Sequence, residues 1–190
     1  MLNDKEQIKE WLDSMGIKNY TINDDFTVDV DGKVNLSTKK LTNIPVQFGN
    51  IKEFFSCSYN QLTNLKGSPK FVGDGFYCHE NQLTTLEHSP QSIGGNFNCD
   101  ENQLTSLQGC PEHIGGFLSC NNNNIQNLND FNCKFLGIFY HRGYVIKEFS
   151  HFYLNKQLSL THKEIENIKL NNKLNNTLKN KKEAINKKKL

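Results

Sequence analysis

The chain has 190 residues, of which 36% are hydrophobic and 22% charged, and its mean hydropathy is −0.64. Its 13 Phe, 6 Tyr and 1 Trp argue against a wholly disordered chain. No apolar run is long enough for a transmembrane helix, and no apolar segment follows Met1 as in a secretory signal. We therefore expect no membrane partner and a cytoplasmic location.

Residues 1–33 have the pattern of an N-terminal cap made of a helix and a hairpin. Asp4 predicts the N-cap of the helix and Gly16 its end. Residues 27–36 alternate around Asp31 and Gly32, which predicts a hairpin turn at that dipeptide. The apolar residues of the helix recur at the spacing of one helix face: Ile8, Trp11, Leu12 and Met15.

Residues 34–139 repeat with a period of 21 residues. Phe76 and Cys78 alternate, so both side chains are predicted to point inward from a short strand. A polar residue at a fixed place after each strand predicts a ladder of side-chain-to-backbone hydrogen bonds. The pattern predicts an α/β repeat solenoid of about five turns, with a parallel strand face and a mainly non-helical convex side. The columns that carry the period are Cys57, Cys78, Cys99 and Cys120; Asn60, Asn81, Asn102 and Asn123; and Leu62, Leu83, Leu104 and Ile125.

Each unit reads Phe-x-Cys-x-x-Asn-x-Leu-Thr-x-Leu, which resembles the leucine-rich repeat with Cys in one buried Leu position. The chain is similar to small phage-encoded proteins with 21-residue leucine-rich repeats, which carry the phrase found at residues 102–107 and open with a segment like residues 27–32. It resembles more distantly the short leucine-rich repeats of bacterial effector proteins. The resemblance covers residues 20–139. It implies a non-enzymatic solenoid whose target is a host protein, such as a bacterial defence protein of the CRISPR type.

Two segments follow the repeat. Residues 140–160 are rich in aromatic residues and predict a C-terminal cap. Residues 161–190 predict a basic, helical tail, because from Lys163 onward nine Lys stand against three Glu, a net charge of +6. The positive charge of this tail could attract phosphate groups, so nucleic-acid binding is an alternative function. The tail contains no Arg and no aromatic residue for base recognition or stacking. This composition favours instead a solubilising terminus or docking on an acidic patch. The candidate nucleic-acid contacts are Lys179, Lys181, Lys182, Lys187, Lys188 and Lys189.

The cysteines and histidines form no motif of a catalytic or metal site. Zinc ligands come in pairs spaced two to four residues apart, whereas the four repeated cysteines place one sulfur in each turn of the core. They are predicted to behave as small buried hydrophobic residues, with free thiols. We therefore predict no enzymatic activity, no cofactor and no metal.

The outward positions of the predicted strand face carry the candidate binding site. These positions contribute nothing to the core, yet in the middle turns they gather two Tyr, one His and three carboxylates. Such a mixture suits a concave surface that binds a protein partner. The alternatives are that any solvated sheet face has this composition, or that the chain is a structural, self-assembling repeat protein. The candidate partner-binding residues are Tyr59, Tyr77, His79, Glu80, Asn98, Asp100, Glu101, Ser119, Asn121 and Asn122.

Overall fold

The computed structural model describes residues 1–125, 133–135, 139–141 and 144–146. In these ranges the chain forms a parallel β-solenoid of about four turns with one N-terminal helix. Each turn contributes one short strand to each of two seven-stranded sheets, and the core lies between the sheets. The described residues thus form a mostly-strand solenoid of about four turns, where the sequence predicted an α/β class and about five turns. The predicted parallel strands and non-helical convex side are confirmed.

The helix α1 spans Lys5–Ser14. The first sheet contains, in spatial order, β1 Tyr20–Ile22, β2 Thr27–Val30, β4 Gln47–Ile51, β6 Phe71–Val72, β8 Ser92–Ile93, β10 His113–Ile114 and β12 Lys134–Phe135. The second sheet contains β3 Val34–Asn35, β5 Phe55–Ser56, β7 Phe76–Tyr77, β9 Phe97–Asn98, β11 Leu118–Ser119, β13 Phe139–His141 and β14 Tyr144–Ile146. The outer pairs β1–β2 and β13–β14 are antiparallel, and the other described pairs are parallel.

Helix α1 begins and ends where its sequence predicts. Asp4 Oδ1 accepts a hydrogen bond from Gln7 N–H at 3.0 Å. At the other end, Gly16 has φ +74° and Ile17 N–H donates to Leu12 O at 3.0 Å, which closes the helix as a Schellman motif. The helix buries Ile8 and Leu12 against the core, so it covers apolar surface of the solenoid.

The hairpin predicted at Asp31 and Gly32 is wrong. Strands β2 and β3 on either side of this dipeptide belong to different sheets, and the N-terminal hairpin is instead β1–β2. The backbone beside the dipeptide pairs with the next turn, since Glu53 N–H donates to Gly32 O at 3.0 Å. Val30 and Val34 are both buried in the shared core. Two strands in facing sheets therefore show the same alternation of apolar and polar residues as the two strands of a hairpin, which is why the sequence suggested a hairpin here.

The core is a stack of equivalent side chains, as the 21-residue period predicts. Phe55, Phe76 and Phe97 are buried one above the other, with ring centroids 5.5 Å and 5.7 Å apart. The four repeated cysteines are fully buried beside this column. Their predicted role as small core residues is confirmed.

The predicted asparagine ladder is confirmed. Asn81 Oδ1 accepts from Leu62 N–H at 3.0 Å, while Asn81 Nδ2 donates to Cys57 O at 3.0 Å and to Cys78 O at 3.1 Å. Each amide thereby joins its own turn to the preceding one and satisfies polar groups that leave the strand ladder. The same bonds recur at Asn60, Asn102 and Asn123.

Glycines bring successive turns together at the corner between the two sheets. A Cβ at Gly73 would collide with Lys52 O, one at Gly94 with Gly73 O, and one at Gly115 with Gly94 O. None of these three glycines has a positive φ. These positions therefore require glycine because the backbones of successive turns approach closely there, and not because the backbone is left-handed.

Of the predicted C-terminal cap at 140–160, the described residues are 140–141 and 144–146, which belong to the antiparallel pair β13–β14. The predicted tail at 161–190 lies outside the described residues.

Candidate functional site

Six side chains on the solvent-facing side of the second sheet form what we call the aromatic–acidic face: Tyr59, Tyr77, His79, Glu80, Asp100 and Glu101. They lie in or just after strands β5, β7 and β9. Because these strands pair in parallel at 21-residue spacing, the six side chains stand on adjacent turns. All six were predicted as site residues, and the structure brings them together.

One column of this face has left-handed backbone geometry in every turn. Tyr59, Glu80 and Glu101 have φ values of +55°, +55° and +53°, and Thr38 and Asn122 continue the column at +61° and +53°. The N–H groups of the first four residues of the column bond to the next turn, as in Glu80 N–H to Asp100 O at 3.1 Å. Left-handed geometry costs about 1–2 kcal/mol for most non-glycine residues, and Asn is among the few that adopt it readily.

Tyr59 is the most exposed aromatic residue of the face, with 54% of its surface accessible. Its ring meets His79 edge to face, with centroids 5.1 Å apart. This contact holds Tyr59 above the sheet without burying it. An aromatic side chain presented in this way is a suitable anchor for a protein partner.

Tyr77 is half-buried and is braced by its neighbours. It meets Phe54 edge to face at 6.3 Å, and Lys33 Nζ lies 5.8 Å from the Phe54 ring centroid. The Tyr77 ring also covers Gly75, because a Cβ there would collide with it. Phe54 therefore flanks the face, which the sequence did not settle.

His79 ends a chain of hydroxyl groups that the sequence analysis did not identify. Hydrogen bonds join Ser37 Oγ to Ser56 Oγ at 2.7 Å, Ser56 Oγ to Ser58 Oγ at 3.2 Å, and Ser58 Oγ to His79 Nδ1 at 3.0 Å. Burial lowers the pKa of His79, and the nearby Asp100 and Glu101 oppose that shift. The sequence signal for this series of hydrogen bonds is the column Ser37, Ser58 and His79, whose members are 21 residues apart.

Ser58, His79 and Asp100 have the composition of a catalytic triad but not its accessibility. Only 1% of Ser58 is exposed, so its hydroxyl is closed to a substrate. The Asp100 carboxylate accepts from Ser119 Oγ at 2.7 Å and from Asn121 N–H at 2.5 Å. The arrangement therefore organises polar groups of the sheet and presents no accessible nucleophile.

Three predicted site residues support Asp100 from within the sheet. Asn98 Oδ1 accepts from Asp100 N–H at 2.9 Å, and Asn121 Nδ2 donates to Ser119 Oγ at 3.0 Å. Ser119, predicted as an outward site residue, is only 5% exposed. Its hydroxyl group is instead used to position the Asp100 carboxylate.

Glu80 and Glu101 stand at equivalent positions of successive turns. A side-chain hydrogen bond to Glu101, burial and the negative charge of Glu101 raise the pKa of Glu80. Each of these effects favours the protonated form of Glu80. A cation placed between them would favour full ionisation instead.

The turns of β7 and β9, which carry five of the six residues of the face, are acidic and contain no Lys or Arg. Residues 71–125 contain no Lys or Arg. The same stretch holds six carboxylates: Asp74, Glu80, Glu87, Asp100, Glu101 and Glu112. With neutral His residues its net charge is −6, in a chain whose overall net charge is +2. The face is thus part of a strongly negative surface.

The other candidate groups are the cysteines and the C-terminal lysines. Burial raises the pKa of the Cys57 thiol to about 12, so it is unsuited to metal binding as a thiolate. Among the described residues, no three His, Cys, Asp or Glu side chains come together to hold a metal ion. The six lysines predicted as nucleic-acid contacts lie outside the described ranges.

In the described part of the chain, no helix is both long enough and apolar enough to cross a membrane. Comparisons with protein-family models, with curated proteins and with solved structures found no match to this chain. Evidence for a function therefore comes from the geometry and charge of the aromatic–acidic face.

Proposed function

We propose that this chain is a non-enzymatic protein-interaction module of the leucine-rich-repeat type, which binds a partner protein through the aromatic–acidic face. The observation that carries the proposal is the left-handed column. Tyr59, Glu80 and Glu101 occupy positions where Gly or Asn would cost less. Neither the backbone nor the core requires long side chains there. What these three residues contribute is the surface that they present to solvent.

The chemistry of the face favours a partner with a basic patch. Tyr59 offers an exposed aromatic surface, on which an arginine guanidinium stacks well. Glu80 and Glu101 lie beside it, in a stretch without Lys or Arg to neutralise them. Arginine can combine both contacts, and complementary charge also steers association.

A basic patch of this kind is typical of the groove in which a protein holds nucleic acid. A partner bound there would lose access to its nucleic acid, because the carboxylates of the face would occupy the place of phosphates. Together with the resemblance to phage-encoded repeat proteins, this favours inhibition of a host defence protein. Such inhibition requires no chemistry from the chain itself, in agreement with the burial of Ser58.

The test is affinity capture from a nuclease-treated bacterial lysate, using the full chain and two double variants. Tyr59→Ala with Glu101→Lys alters the face. Phe71→Ala with Glu112→Lys makes the matched change on the first sheet, since Phe71 is 39% exposed and Glu112 is also exposed. We expect the first variant to lose a stoichiometric protein that the second retains. Equal retention by both variants would exclude the aromatic–acidic face as the binding surface.

The nucleic-acid alternative depends on the Lys-rich segment 163–190, with its net charge of +6. It makes a different prediction in the same experiment. Phosphate-driven binding falls steeply with salt and does not survive nuclease treatment. Capture that disappears with nuclease, and that is insensitive to the Tyr59 and Glu101 changes, would assign the function to the lysines.

A further inference from the structure

A polar recess lies on the opposite side of the solenoid from the aromatic–acidic face. It opens at the beginnings of strands β4, β6 and β8, between the loops that precede them. Its volume is about 330 Å³, which is larger than a phosphate group alone. The side chains that define its chemistry are Gln47, Ser68, Lys70, His88, Ser89 and Gln91.

The lining of the recess is free of carboxylates, although the solenoid around it is acidic. Lys70 supplies a cation, with its Nζ 5.4 Å from the centroid of the Phe71 ring. Gln47 is held in place, because its Nε2 donates to Ser68 O at 2.7 Å and to Phe48 O at 2.9 Å. The Lys70 cation and a lining without carboxylates favour an anionic ligand over a cationic one.

Ser68 provides a buried hydroxyl group without a partner. Only 4% of Ser68 is exposed, and among the described residues its Oγ has no hydrogen-bond partner. The equivalent residue one turn later, Ser89, donates from its Oγ to Gly109 O at 2.5 Å. The departure from the repeat therefore occurs at the recess, where a bound acceptor can satisfy the Ser68 hydroxyl.

His88 is a second departure from the repeat at the same place. It has φ +66°, whereas the equivalent positions in the neighbouring turns are Gly67 and Gly109, at +92° and +82°. Gly is the residue that this geometry favours, and a non-glycine residue costs about 1–2 kcal/mol. His88 lines the recess, and its imidazole adds a hydrogen-bond donor close to the positive charge of Lys70.

We propose that this recess binds the phosphoryl group of a small phosphorylated molecule. Lys70 and His88 contact the phosphoryl oxygens, with the Gln91 amide and the Ser68 hydroxyl as further donors. The remaining volume accommodates the organic part of the ligand. The site is separate from the partner-binding face, since none of the six residues of that face lines the recess.

The test is an NMR titration of the isotope-labelled full chain with inorganic phosphate, with KCl adjusted to hold ionic strength constant. We expect saturable shifts at Lys70, His88 and Gln91 with millimolar affinity, and similar shifts with sulfate. Acetate at the same ionic strength should produce much weaker shifts. Shifts that increase linearly without saturation, or that are equal with acetate, would overturn the proposal.

Two variants separate binding from folding. His88→Gly removes the imidazole and relieves the left-handed strain, so it should weaken phosphate binding about tenfold without lowering the unfolding midpoint. Lys70→Met should weaken binding by a similar factor, while Lys39→Met, an exposed lysine that does not line the recess, should leave it unchanged. Unchanged phosphate affinity in His88→Gly would refute the site. Because capture of a partner by the aromatic–acidic face is measured separately, failure of either proposal leaves the other intact.

Discussion

Asn102 Nδ2 donates a hydrogen bond to Cys78 O, 24 residues earlier in the chain, at 3.1 Å. The same amide donates to Cys99 O at 3.2 Å, and its Oδ1 accepts from Leu83 N–H at 3.0 Å. One buried side chain thus satisfies backbone groups in two turns. The solenoid is held together at this column by polar contacts as well as by its apolar core.

Replacing Asn102 with Ala leaves the buried Leu83 N–H without its acceptor, whereas Cys78 O and Cys99 O keep the donors Asn81 Nδ2 and Asn123 Nδ2. A buried unsatisfied group costs about 1–3 kcal/mol. We expect the free energy of unfolding to fall by about 1–3 kcal/mol, measured by urea denaturation followed by circular dichroism. The control is Asn124→Ala, an exposed residue in the last described turn. Equal stability of the two variants would contradict the structural role of the ladder.

Gly94→Ala tests the close approach of successive turns. The new Cβ would collide with Gly73 O, which belongs to backbone and cannot rotate away. We expect a loss of about 1–3 kcal/mol in the free energy of unfolding, the usual range for overpacking. Glu112→Ala, at an exposed position of the next turn, should change stability by less than about 0.5 kcal/mol. A tolerated alanine at position 94 would mean that the turns are spaced more widely than described.

His88→Gly should raise the free energy of unfolding, whatever the recess binds. Relief of left-handed strain contributes about 1–2 kcal/mol, and the greater freedom of Gly in the unfolded chain offsets about 0.4–1 kcal/mol of it. The expected gain is therefore about 0.5–1 kcal/mol by chemical denaturation. Gly109→Ala should have the opposite sign, because its Cβ would meet Leu86 and Glu87 backbone atoms within 3 Å. A loss of stability in His88→Gly would contradict the positive φ at that residue.

The pair Glu80 and Glu101 should make stability depend on pH. The pKa of Glu80 is raised in the folded chain, so the folded state binds this proton more tightly than the unfolded state does. The resulting stabilisation is present at low pH and is lost as pH rises through the folded pKa. Glu80→Gln, which mimics the protonated side chain, should therefore gain in melting temperature relative to the parent as pH rises from 4 to 7.

Thermal unfolding at several pH values measures this difference. Glu112→Gln serves as the control, since Glu112 is an exposed acid outside the pair. A difference between Glu80→Gln and the parent that stays constant across the range would show that the pKa of Glu80 is not raised in the folded chain.

The repeat, the inward Phe and Cys columns, the asparagine ladder and both ends of α1 could be predicted from the amino-acid sequence. These features follow from periodicity and local hydrogen bonding, because a position that recurs every 21 residues must meet the same environment in every turn. The sequence also identified the six residues that the structure gathers in the aromatic–acidic face. Phase along the strand is enough to separate outward positions from inward ones.

Strand pairing and the exposure of the outward residues could not be predicted from the sequence, because both depend on contacts between distant parts of the chain. Alternation around Asp31 and Gly32 suits a hairpin and a change of sheet equally well, because both place Val30 and Val34 in the core. Ser119 has an outward position but is covered, since its hydroxyl group bonds to Asp100 on the preceding turn. The recess at Lys70 and His88 likewise depends on distances between loops of successive turns, which no local pattern encodes.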